Sequence, residues 1–76
     1  MDKYIISEPD ILGGTPVFRG TRVPVESLFD HLAEGISLDD FLDDFPSVGR
    51  EQAIGVLYSA STLVQTLTEV HDEDFA

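Results

Sequence analysis

The chain of 76 residues has no cysteine and only four basic residues. The first absence excludes a disulfide framework and thiolate chemistry. The second leaves few cations for the many phosphate contacts that nucleic-acid binding needs. The opening run Met-Asp-Lys-Tyr-Ile-Ile lacks the apolar stretch of a signal peptide, which fits a cytoplasmic protein. No membrane span is expected either. The longest charge-free stretch, Ala53 to Thr68, is too short and too rich in Ser, Thr and Gln to cross a bilayer. A chain of this length makes one small domain, near the lower limit at which a core alone outweighs chain entropy, so self-association would help it.

Charge is distributed unevenly. The formal net charge is -11. Up to Val25, Lys3, Arg19 and Arg22 balance Asp2, Glu8 and Asp10, so the excess lies in the second part of the chain. There Arg50 stands alone against every carboxylate from Glu26 to Asp74. Such a field repels a phosphate backbone, and the isolated protein is not expected to bind nucleic acid non-specifically.

The local patterns describe a mainly α fold with a β element at its start. Tyr4-Ile5-Ile6 is a short β-prone run closed by Ser7-Glu8-Pro9-Asp10. Its partner is the ribbon Gly13-Gly14-Thr15-Pro16-Val17-Phe18-Arg19-Gly20-Thr21-Arg22-Val23-Pro24-Val25, in which Pro16 and Pro24 favour extended backbone before them. Residues 17–23 fit either a tight hairpin or one kinked extended segment. Val25, Leu28, Phe29, Leu32 and Ala33 then form the apolar stripe of a helix ending at Gly35. Ser37 caps a second helix carrying Leu38, Phe41, Leu42 and Phe45, which Pro46 ends. A third begins near Arg50, with Gly49 as a permissive cap. Its seam is Ala53, Leu57, Ala60, Val64 and Leu67, with Val56, Leu63 and Val70 beside it. The expected layout is a β ribbon over 1–24, a helical bundle over 25–68 and a mobile acidic tail over 69–76.

Gly14, Pro16, Gly20, Thr21, Arg22 and Val25 match a Gly-x-Pro-x-x-x-Gly-Thr-Arg-x-x-Val pattern, and Leu32-Ala33-Glu34-Gly35, Ser37 and Phe45-Pro46 continue it. In these residues the chain resembles domain-of-unknown-function family four-three-three, small bacterial and archaeal proteins, over roughly residues 4 to 67. The resemblance implies a small three-helix, homeodomain-like bundle with a helix-turn-helix, commonly dimeric. It further implies an antitoxin role in a two-gene pair with a PIN-like nuclease toxin.

Three surfaces are candidates for function. The wide apolar face of the last helix exceeds what so small a domain covers, which points to a homodimer using Val56, Leu57, Leu63 and Val64, with Tyr4 and Ile6 of the first run. Arg19 and Arg22 fit ion pairs with the acidic helices of their own domain, carboxylates of a partner, or phosphate. Glu69, Asp72, Glu73 and Asp74, with Phe75 as an apolar anchor, suit the positively charged RNA groove of a nuclease partner. A helix-turn-helix reading instead aims Arg50 and Gln52 at bases, against four aspartates on the neighbouring helix. Asp39, Asp40, Asp43 and Asp44 read as a solvated helix face rather than a metal site. His31, placed on the polar flank of the first helix, and His71 have no nucleophile partner, and Gly13-Gly14-Thr15 lacks a phosphate-cradling lysine. No enzyme, cofactor or metal is expected.

Overall fold

The computed structural model describes the backbone of residues 3–75 and the side chains of residues 3–66. Its elements in chain order are β1 (Ile5–Ile6), a 3₁₀ turn (Leu12–Gly14), β2 (Val17–Phe18), α1 (Val25–Ala33), α2 (Leu38–Asp44) and α3 (Arg50–Phe75). The fold is mostly helical, with three helices and a short antiparallel pair near the amino terminus.

The ribbon is a tight hairpin set beside β1. Ile5 pairs with Phe18 and Ile6 with Val17. On its other side, β2 bridges from Val17 to Pro24, with the Phe18 N–H on the Val23 carbonyl at 3.0 Å. This arrangement selects the hairpin for residues 17–23 and excludes one kinked strand. The reversal is made by Phe18-Arg19-Gly20-Thr21. Thr21 N–H reaches the Phe18 carbonyl at 2.9 Å, and Gly20 has a φ of 81°, which a type II turn requires at its third position. The Thr21 hydroxyl donates to the Phe18 carbonyl at 2.8 Å and accepts from the Val23 N–H at 3.0 Å. Gly and Thr of the Gly-Thr-Arg run are thus turn chemistry.

The helix boundaries follow local signals. Pro24 precedes α1 with extended backbone, and at the other end the Ile36 N–H returns to the His31 carbonyl at 2.9 Å, which stops the helix. The Ser37 hydroxyl caps α2 by accepting from the Asp40 N–H at 3.1 Å. Gly49 offers no side-chain cap to α3. Gln52, three residues on, instead accepts the Gly49 N–H through Oε1 at 3.3 Å, the reciprocal half of a capping box.

The core sits where β2, α1, α2 and the first turns of α3 meet. Phe18, Leu28, Phe41, Val48, Ala53 and Val56 are buried together, with Val17 also buried. Phe41 lies between Phe18, with ring centroids 6.2 Å apart, and Phe45, 4.9 Å away. His31 completes this cluster with edge-on contacts at 5.3 Å to Phe41 and 5.5 Å to Phe45. Its Nδ1 lies 2.7 Å from the Ser27 carbonyl, which only accepts, so Nδ1 carries the proton. The sequence reading of His31 on a polar flank is therefore corrected: it is half-buried against aromatic rings. Helical periodicity alone does not show that α2 packs over that edge of α1.

Two further expectations change. The last helix does not stop at residue 68, because α3 continues to Phe75 through the stretch read as a mobile tail. Val56, read as part of a homodimer interface, is 2% exposed and belongs to the protomer's own core.

Candidate functional site

Hydrogen bonds tie the hairpin, β1 and the start of α3 together at one corner. Gln52 holds it. Its Nε2 donates to the carbonyls of Tyr4 at 3.3 Å and Arg19 at 2.8 Å, while Oε1 takes the Gly49 N–H. One amide thus joins β1, the hairpin turn and the cap of α3. Arg19 works on the same junction: its N–H reaches the Tyr4 carbonyl at 2.8 Å, Nε the Lys3 carbonyl at 3.2 Å and Nη2 the Ile5 carbonyl at 3.3 Å. The Arg19 guanidinium is engaged within the chain by main-chain carbonyls of Lys3 and Ile5, acceptors other than the acidic-helix carboxylates of the expected ion pairs.

Gly55 explains why β1 lies so close to α3. A Cβ at this position would sit 2.2 Å from Cε2 and 2.5 Å from Cδ2 of Tyr4, so the aromatic ring rests directly on the helix backbone. Tyr4 also packs against the core cluster, and the Lys3 ammonium lies 5.1 Å from its ring centroid. Tyr4 and Ile6, both half-buried, are thus parts of the ribbon's own packing as well as candidates for an interface. The signals for Gln52 and Gly55 were in the sequence, as a Gln three residues after a cap and a Gly inside a helix. Neither announces its partner.

Arg50 pairs with Asp39 across the α2–α3 corner. Both groups are exposed, so the pair adds at most about 1 kcal/mol, yet it turns the guanidinium toward α2. The two residues considered for base reading, Arg50 and Gln52, are both engaged within the fold. Arg22, by contrast, is exposed and makes no hydrogen bond or ion pair among the described residues. The described carboxylates, from Glu8 to Glu51, are all exposed, and Asp39 is the one that forms an ion pair. Asp40, Asp43 and Asp44 face solvent, and no cluster of three or more His, Asp or Glu suited to a metal occurs among the described residues. The acidic positions Glu69, Asp72, Glu73 and Asp74, and Phe75 with them, have side chains outside the described residues, as has His71.

The outer surface of α3 carries exposed apolar side chains among Ser, Thr and Gln. Ile54, Leu57, Tyr58 and Ser61 line an open groove of about 260 Å³. Tyr58, Leu63 and Val64 are 72%, 60% and 59% exposed. Among the described residues, no helix is long and apolar enough to cross a membrane.

The family model described as "Protein of unknown function (DUF433)" matches residues 5–58. The chain belongs to the DUF433 family. Over 50 residues the chain is 50% identical to the uncharacterized protein y4eO of Sinorhizobium fredii, covering 66% of this chain and 23% of that protein. The chain thus spans under a quarter of that relative's length. A DUF433 member protein from Anabaena variabilis, solved by crystallography at 2.00 Å, is similar with a TM-score of 0.69 at 20% identity. The likeness covers 90% of this chain and 67% of that one, and it establishes the shared fold. The DUF433 match takes in the hairpin, Gln52, Gly55 and the start of α3, and it ends at Tyr58.

Proposed function

We propose that the protein is a non-enzymatic partner-binding module of antitoxin type, acting in the cytoplasm, that neutralises a PIN-like ribonuclease by covering its basic RNA-binding surface. The distribution of charge carries this reading. The described carboxylates of all three helices are exposed and, Asp39 apart, unpaired, whereas Lys3, Arg19 and Arg50 are engaged within the chain. An acidic surface left without internal cations complements a groove built to hold phosphates, and steers association with it. Arg22 is then the cation left to meet carboxylates on the partner, in the bidentate geometry that guanidinium favours.

Direct DNA reading has less support. A recognition helix needs free donors at its start and basic residues beside it for phosphate contacts. Here Gln52 holds the ribbon, Arg50 holds Asp39, and α2 presents Asp40, Asp43 and Asp44 to solvent.

The test is a search of the adjacent gene for a PIN-like protein, followed by a ribonuclease assay with that protein. Inhibition at near-stoichiometric ratio, weakening as salt rises and weakening further on Arg22→Glu, is the expected result. Undiminished RNA cleavage in the presence of excess folded protein would remove the proposal.

A further inference from the structure

Among the described residues, positive φ is left to glycine with one exception, Leu12 at 49°. Gly13 at 65° and Gly14 at 95° follow it, so the loop between β1 and β2 passes through three left-handed residues in succession. Glycine adopts this conformation without penalty, whereas leucine sets its Cβ against the following carbonyl oxygen. Hydrogen bonds hold the strained residue in place. Thr15 donates to the Leu12 carbonyl twice, through its N–H at 3.2 Å and its hydroxyl at 2.9 Å. The Gly14 N–H reaches the Ile11 carbonyl at 3.0 Å, and the Ser7 hydroxyl donates to the Gly14 carbonyl.

The core makes no use of the side chain held there. Leu12 is 46% exposed and stands apart from the apolar residues packed against the core cluster, as does its half-buried neighbour Ile11. The other large apolar side chains exposed among the described residues belong to α1 and α3, so Leu12 is the one presented by a hydrogen-bonded loop. A strained residue that its surroundings hold in place, without a share in the core, points to a use outside the molecule. An apolar group already fixed in position loses little freedom on docking, which suits it as an anchor.

The neighbouring charges say what it docks into. Glu8 and Asp10 are exposed, lie on the same loop and form no ion pair among the described residues. Carboxylates beside an apolar tip repel nucleic acid and anionic lipid headgroups, and suit a protein surface rich in Lys or Arg. We propose that Leu12 is an apolar anchor that docks into a hydrophobic pocket on a basic protein partner, with Glu8 and Asp10 meeting the cationic rim of that pocket. The anchor rests on the reading of the chain as the binder of a basic nuclease, and adds a short-range apolar contact to steering by charge.

Leu12→Asn, which tolerates the left-handed region, and Leu12→Met, which keeps the apolar bulk, separate anchor from scaffold. Thermal unfolding of each free variant is compared with calorimetric titration into a PIN-like protein found in the adjacent gene. Leu12→Asn should unfold at the temperature of the wild type or above it, yet bind at least tenfold more weakly at both low and high salt, while Leu12→Met keeps most of the affinity. The double change Glu8→Gln, Asp10→Asn should weaken binding chiefly at low salt. Wild-type affinity in Leu12→Asn would overturn the anchor and leave the nuclease reading standing. A clear fall in its unfolding temperature would also overturn the anchor, by showing that leucine serves the fold. The lack of such a nuclease, or a wild type that fails to bind it, would remove the nuclease reading and the anchor with it.

Discussion

Replacing Gly55 by Ala sets two opposed effects against each other at one contact. In an unobstructed helix interior the change is favourable by about 1 kcal/mol, because Ala loses less backbone entropy than Gly. At Gly55 the new methyl meets the Tyr4 ring, with three ring atoms between 2.2 and 2.9 Å away, well inside ordinary carbon–carbon contact. The ring must therefore move by more than an ångström. It cannot do so freely, since the Tyr4 carbonyl is held by Arg19 N–H and Gln52 Nε2 and the ring packs against the core cluster. Overpacking of this kind costs about 1–3 kcal/mol, which exceeds the helical gain and leaves a net loss of about 1 kcal/mol. For a domain of this size the midpoint of thermal unfolding should fall by about 4–8 °C. Removing the ring should reverse the sign: in a Tyr4→Ala background, Gly55→Ala should stabilise by about 1 kcal/mol, a coupling of about 2 kcal/mol between the two positions. Urea unfolding of the four proteins at one fixed concentration measures this. Equal stabilisation by Gly55→Ala in both backgrounds would refute the claim that the ring rests on the helix backbone.

Gln52→Met, which keeps length and removes three hydrogen bonds, should cost about 2 kcal/mol and raise amide exchange first in β1 and the hairpin turn; unchanged exchange there would deny Gln52 its joining role. Phe41→Ala, at a fully buried ring, should cost about 3–5 kcal/mol, enough to leave the domain largely unfolded by circular dichroism. Duplex DNA should show no measurable anisotropy change with the isolated protein at physiological salt, and tight binding lost on Arg50→Ala would favour the regulator reading. Deleting residues 69–76 should weaken nuclease neutralisation in a salt-dependent way; equal inhibition by full-length and shortened protein at every salt would show those carboxylates to be dispensable.

Much of the fold was legible because its signals are local. Apolar spacing located α1 and α2, Ser37 and Pro46 bounded α2, and Gly20-Thr21 carried the turn chemistry. The end of α3 was misplaced because a charged stretch after an apolar seam reads as a tail, although Glu and Asp remain compatible with helix. His31 was misplaced because a helical wheel separates polar from apolar positions without knowing where the neighbouring helix crosses. The roles of Arg19, Gln52 and Gly55 were illegible for a related reason. Each depends on a partner far away in sequence: Gln52 on Tyr4, 48 residues earlier, and Arg19 on the carbonyls of β1.

The sequence by itself determined the acidic charge, the absence of thiol chemistry, the helical periods and the family, since these are properties of composition and of residues close together along the chain. Tertiary structure alone decided which cations are engaged and which, among the described residues, is exposed without a partner, which apolar residues of α3 are core and which reach solvent, and why a glycine stands at position 55. Those outcomes depend on distances between segments that meet only after folding, and a one-dimensional pattern holds the residue types but not the distances.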